Sequence, residues 1–241
     1  MQNKQVDELI NEINLSKIEN KKKEVGNFVF IPIENKNGFI VYSKGKINEI
    51  IKEENISLFE KFKNDYINCK DYKKINDAKE TYTHRYYYYE KISDENETIT
   101  IIMLNPAFAY SKNTDDTIEN IKDFINNENK EKIGAFEIIN LYSIRMPKSA
   151  KLNSMLNTLT INEDNDINTE FIKQYIKGSI NKILIAWGAA YHNKAIKQLE
   201  KNIKDKQLYC YALTDKSKIP RHFSSCSYNQ AKNKKLMKFS F

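Results

Sequence analysis

Cysteine is scarce in this 241-residue chain: Cys69, Cys210 and Cys226 are odd in number and far apart. That pattern excludes a disulfide framework and a cysteine-based zinc site, and it fits a reducing, cytoplasmic setting. No apolar run approaches the roughly 20 residues that cross a bilayer. The opening stretch, MQNKQVDELINEINL, mixes polar and apolar residues at helical spacing and carries acids, so it does not read as a signal peptide. No GxGxxG turn and no Walker sequence occurs, which removes the two common nucleotide-cofactor fingerprints. No cofactor, no metal and no membrane contact are expected, and a monomer is.

The chain is 40% hydrophobic and 29% charged, enough to bury a core. Its net charge of +7 is unevenly spread. From Tyr191 to Phe241, twelve Lys and Arg face three acids, Glu200, Asp205 and Asp215, so this segment carries +9 and the remainder −2. Basic charge gathered in one segment is the footprint of a nucleic-acid binder. A solvated lysine-rich face has the same composition, and charge alone does not separate the two.

Residues 1–75 read as an α+β accessory region with its own small core. Gln5–Ile18 has a helical apolar stripe. Phe28–Ile33 and Phe39–Tyr42 flank the turn Glu34–Gly38, whose Asn37-Gly38 is a hairpin signal. Ile47–Tyr66 has helical spacing. Residues 76–241 form the second unit. Tyr82–Ile92 holds four consecutive tyrosines, Tyr86–Tyr89, either a stacking platform for bases or a strand with one face buried.

Ile99–Leu104 is a β-branched apolar run of the kind buried on both faces of a parallel sheet, stopped by Asn105-Pro106. The same unit of strand, polar strand end and helix recurs. Gly134–Asn140 ends on Asn140, Lys182–Trp187 on Gly188-Ala189-Ala190, and Leu208–Leu213 runs into the loop Pro220–Ser225 with His222. Strands alternating with helices predict a three-layer α/β/α fold around a central, mainly parallel four-stranded sheet. Asn105, Asn140, Gly188 and His222 then share one edge of that sheet, where open α/β folds bind ligands. Asp116 begins a helix with Asp115 and Thr117. It serves that helix as a capping charge or, as a carboxylate near Asn105, joins in catalysis.

The strand ends, taken in order, are LNPAF (Leu104–Phe108), IIN (Ile138–Asn140), ILIAWGAAYHNK (Ile183–Lys194) and PRHFSS (Pro220–Ser225). They resemble the motifs of the uracil-DNA glycosylase superfamily. The same pieces, with Asp116-Thr117, are similar to a bacterial domain family of unassigned function. The resemblance covers roughly residues 80–228 and implies a glycosylase-like fold and a set of roles. Asn105 would position the attacking water, with His222 stabilising charge on the leaving base. Pro106, Phe108, Asn140 and Tyr142 would contact the base, Phe108 by stacking and Asn140 by bonding its edge. Gly188, Lys194, Arg221, Ser224 and Ser225 would face the DNA phosphates.

Strong uracil excisers of that superfamily carry aspartate at the place of Asn105 and proline at the place of Phe223. The expected activity is therefore a monofunctional, metal-independent DNA glycosylase for a non-standard or modified base in single- or double-stranded DNA. A role against modified phage DNA fits such a branch. The alternatives are a non-catalytic nucleic-acid-binding module and a nucleotide or nucleoside hydrolase.

Overall fold

The computed structural model describes residues 2–43, 84–106, 116–128, 132–145, 162–188, 193–224, 228–229 and 235–241. The expected Ile47–Tyr66 helices lie outside these residues. Four described helices are α1 (Gln2–Glu19), α2 (Asp116–Glu128), α3 (Asn162–Gly178) and α4 (Asn193–Ile203). The strands are β1 (Lys23–Val25), β2 (Phe28–Pro32), β3 (Asn37–Ser43), β4 (Arg85–Lys91), β5 (Glu97–Met103), β6 (Ile133–Asn140), β7 (Lys182–Ile185), β8 (Leu208–Cys210) and β9 (Met237–Phe239).

All nine strands form one sheet in the order β1-β2-β3-β4-β6-β5-β7-β8-β9. This corrects the expected four-stranded, mainly parallel sheet. The pairings β5–β6, β5–β7 and β7–β8 are parallel, and the other five are antiparallel. The strands foreseen at residues 99, 134, 182 and 208 are neighbours. On one side the sheet continues through the tyrosine strand β4 into β1–β3, and on the other β9 caps β8. The α/β class itself stands. Residues of α1 join the same core as Trp187 and Phe171, and α1 packs on α3.

The link from β4 to β5 explains much of this order. It is short, residues 92–96, yet β4 and β5 are not neighbours, because β6 lies between them. The link crosses the start of β6, where Ile92 N and Ser93 N both donate to Gly134 O at 2.7 and 3.0 Å. A Cβ on Gly134 would run into the Glu95 carbonyl, so only glycine lets the two backbones pass. The hairpin reading holds, β2 pairing antiparallel with β3, but its turn lies before Asn37. Asn35 takes the left-handed conformation of the β2–β3 turn (φ 59°). Gly38 lies inside β3, where a Cβ would meet the Tyr89 carbonyl.

The tyrosine run is no stacking platform: Tyr86–Tyr89 are all buried. A register shift between Val41 and Tyr42 sets Tyr86 and Tyr87 into the same core, with Tyr88 alone facing the other. One core lies under α1, α3 and α4, and the second lies under α2. Lys122 of α2 reaches Glu90 of β4 at 2.7 Å, and Tyr88 Oη donates to the same carboxylate at 2.6 Å. Among the described residues, no helix is long and apolar enough to cross a membrane.

Candidate active site

The C-terminal ends of β6, β5 and β7 stay zipped beyond the strands proper. Leu141 N donates to Met103 O at 2.9 Å, Tyr142 N to Leu104 O at 2.9 Å, and Ala186 N to Ile102 O at 2.8 Å. Asn140, Asn105 and Gly188 therefore stand side by side on three adjacent strand ends. At about 4.8 Å per strand, the three positions span about 10 Å. His222 joins from the loop after β8, because Gly188 N donates to Pro220 O at 3.1 Å.

Asn140 is 1% exposed, and neither its Nδ2 nor its Oδ1 has a hydrogen-bond partner among the described residues. Leaving one buried polar group unpaired costs about 1–3 kcal/mol. A carboxamide with both ends unpaired is a group held ready for a ligand or a water with one donor and one acceptor. Its backbone is fastened from α3, where Asn168 Nδ2 donates to Asn140 O at 3.0 Å and to Leu141 O at 3.1 Å.

His222 is half-buried. The Ser224 backbone N–H donates to its Nδ1 at 2.9 Å, so Nδ1 holds a lone pair and the proton sits on Nε2. Burial agrees, pushing the imidazole down to about 4. Near neutral pH this side chain is an uncharged N–H donor. Its backbone is pinned, with Tyr211 Oη donating to His222 O at 2.7 Å and Asn120 Nδ2 to Phe223 O at 2.8 Å. Phe223 stacks on Tyr211 with centroids 4.3 Å apart.

Gly188 takes a positive φ of 77°, and a Cβ there would sit 3.1 Å from His222 Cβ. Gly188→Ala is expected to cost about 1–2 kcal/mol of backbone strain and to push the imidazole from its place. Urea unfolding would read the first effect, and a shift of the His222 ring resonances in NMR the second.

The other expected site residues are placed as follows. Asn105 is buried and donates from Nδ2 to Pro106 O at 3.2 Å. Pro106 is buried beside it. Tyr142 is half-buried, and burial raises its phenol. Asp116 is exposed at the first turn of α2. Arg221 donates from Nε to Leu213 O at 3.2 Å and lies 3.6 Å from the Asp215 carboxylate. Ser224 is exposed, and Lys194 falls in the first turn of α4. Phe108 and Ser225 lie outside the described residues.

The structure adds residues that sequence reading did not single out: Ser43, Ser143 and Asn168, with Arg85 and Arg145 buried at the same edge. Small polar residues just past a strand end carry no local signature. A lone arginine in the segments YTHRYY and LYSIRM is the one hint the sequence holds. Among the described residues, no group of three or more His, Cys, Asp or Glu could hold a metal ion.

In comparisons with known proteins, a family model described as "Protein of unknown function (DUF1643)" matches residues 85–222, more than half of the chain. That span runs from the first residue of β4 to the histidine of the site. No curated protein and no solved structure matches.

Proposed function

Because the chain belongs to the DUF1643 family, whose function is unknown, we propose its activity from the site itself: it is a DNA glycosylase acting on a non-standard or modified base. The observation that carries this reading is the buried Asn140 carboxamide with both polar ends unpaired, on the same sheet edge as a neutral histidine. An amide reads a base edge that offers one N–H and one carbonyl or ring nitrogen. Bases reach such a depth only when flipped from the stack, at a few kcal/mol.

In the reaction, the bond from the sugar C1′ to the base nitrogen breaks and its electron pair leaves with the base. His222 Nε2–H donates to the base oxygen that gathers this charge. An uncharged donor suits an anionic leaving group that departs without being protonated first. Water attacks C1′ of the oxocarbenium-like sugar and then releases its proton to solvent. Asn105 orients that water. An amide cannot take a proton, so its part is positional. The basic C-terminal segment and Arg221 favour the phosphate backbone.

The test is incubation with single- and double-stranded DNA carrying uracil, hypoxanthine, 5-hydroxymethylcytosine or its glucosylated form. Alkaline cleavage at abasic sites is the readout. Abasic sites on at least one substrate, lost in Asn140→Ala and Asn105→Ala, are expected. Salt-sensitive binding without abasic sites would replace the enzyme with a binding module. Turnover of free nucleosides or nucleotides alone would replace it with a small-molecule hydrolase.

A further inference from the structure

Between β8 and His222 the chain makes a small closed loop at the sheet edge that carries the site. β8 runs parallel to β7, so its C-terminal end lies at that edge. Leu213 and Pro220 form an antiparallel bridge, and Arg221 N donates to Ala212 O at 2.9 Å. Beyond that base, Thr214 N donates to Ile219 O at 2.8 Å and Lys218 N to Thr214 O at 3.1 Å. The Thr214 hydroxyl accepts from Ile219 N at 3.0 Å and bonds the Ser217 hydroxyl at 2.8 Å. The bond from Gly188 N to Pro220 O fixes the whole loop to the end of β7.

Four consecutive residues at the tip, Asp215, Lys216, Ser217 and Lys218, are exposed. The Asp215 carboxylate lies 3.6 Å from Arg221, a partner in the stem of the same loop. Lys216 and Lys218 make no ion pair among the described residues, so the tip presents two uncompensated positive charges. A solvated lysine face would explain the composition but not the backbone. Lys218 has φ 51°, the left-handed conformation that suits glycine and strains a lysine. Residues held in such conformations cluster at ligand clamps. Here the charge is what a lysine brings and glycine lacks. Lys218 is four residues from His222, at most about 14 Å along the chain. That is about four steps of a duplex strand at about 3.4 Å each.

We propose that Asp215–Lys218 is a phosphate clamp, in which Lys216 and Lys218 hold the nucleic-acid backbone within a few nucleotides of the base that Asn140 reads. The proposal rests on the DNA glycosylase reading. A loop closed by its own hydrogen bonds keeps both lysines in place before DNA arrives, so less order is lost on binding.

Fluorescence anisotropy of the full chain on an unmodified DNA duplex, from about 50 to about 200 mM salt, is the test. On a duplex, the logarithm of affinity falls with the logarithm of salt by about 0.9 per phosphate contact. Lys216→Ala/Lys218→Gly is expected to flatten that slope by about 1.8, with no fall in the unfolding midpoint, since glycine suits the left-handed position. Lys216→Gln alone leaves the strained position untouched and is expected to flatten the slope by about 0.9. Lys216→Arg/Lys218→Arg is expected to keep it. Lys177→Ala/Lys201→Ala removes the same charge from exposed positions in the last turns of α3 and α4, which lead into the starts of β7 and β8 at the opposite edge of the sheet. That pair is expected to leave the slope unchanged. A slope that the loop variants do not change, or that the helix pair lowers as much, would overturn the clamp and leave the glycosylase reading in place. No salt-dependent DNA binding by the unaltered chain would overturn both.

Discussion

Glu137→Ala is expected to cost about 3–5 kcal/mol, the penalty of breaking a buried charge cluster, and so to leave little or no folded protein. The whole stability of a domain is about 5–15 kcal/mol. Glu137 sits in the middle of β6 with no exposure. Its carboxylate accepts from Tyr87 Oη at 2.5 Å, Tyr175 Oη at 2.7 Å, Thr100 Oγ1 at 2.5 Å and Asn181 Nδ2 at 3.0 Å, and it pairs with Lys17 Nζ at 3.0 Å. Those partners come from β4, α3, β5, the turn before β7 and α1. One side chain thus ties two helices to three strands.

Burial opposes its charge, but the Lys17 ammonium and the bonds from Thr100, Tyr87 and Tyr175 outweigh burial and hold the carboxyl below the usual glutamate range. Burial and the same carboxylate raise both tyrosines, which stay protonated donors. The sign of the pH effect follows. The unfolded chain binds the proton more tightly, so this stabilisation is full above the ordinary glutamate pKa and is lost as pH falls through the lower folded value. Glu137→Gln is expected to fold with reduced stability and a shallower acid limb. Urea midpoints from pH 7 to pH 3 check both variants.

The second large effect concerns His222. On a DNA substrate the protein cleaves, His222→Ala is expected to lower kcat by about 10²–10³, the usual loss for one donor to developing negative charge. His222→Gln, which keeps an N–H donor, is expected to recover part of it. Because the imidazole is already neutral, kcat should stay flat from pH 8 down to about pH 5 and fall only as pH nears 4. A limb near 6.5 would instead mean that the protonated ring does the work. Stability follows the same group in a separate window. The folded pKa lies below the ordinary 6.5, so the His222 contribution is full above 6.5 and is lost as pH falls towards 4.

The edge that gathers Asn105, Asn140, Gly188 and His222 was legible because each follows an apolar run that could only be a strand, and parallel neighbours put their ends together. The extent of the sheet was not. Which strand lies beside which is decided by contacts between distant segments, and the polar stretch Ser93–Glu97 gives no sign that its flanking strands are separated by a third. The tyrosine run misled for a related reason: alternation assumes one residue per step, and the shift opposite Val41 breaks it. Glu137 was hidden in AFEIIN, where a single acid in an apolar run reads as an interruption, and its five partners come from five separate segments. The unpaired, buried hydroxyls of Ser43 and Ser143 are visible only once the bonds around them are counted.

The crossing of the 92–96 link over β6 also governs how the chain reaches this state. During synthesis β4 and β5 emerge first, joined by five residues, and their simplest pairing is with each other as a hairpin. That pairing must stay open or be undone, because β6 arrives about 30 residues later and takes the place between them. The link can bridge the gap, since five residues extend to about 17 Å and two strand spacings need about 10 Å. Insertion of a late strand between two early ones is non-local and slow, so the unpaired edges of β4 and β5 stay exposed for that time and invite self-association. That exposure ends only when Ile133–Asn140 takes its slot between them.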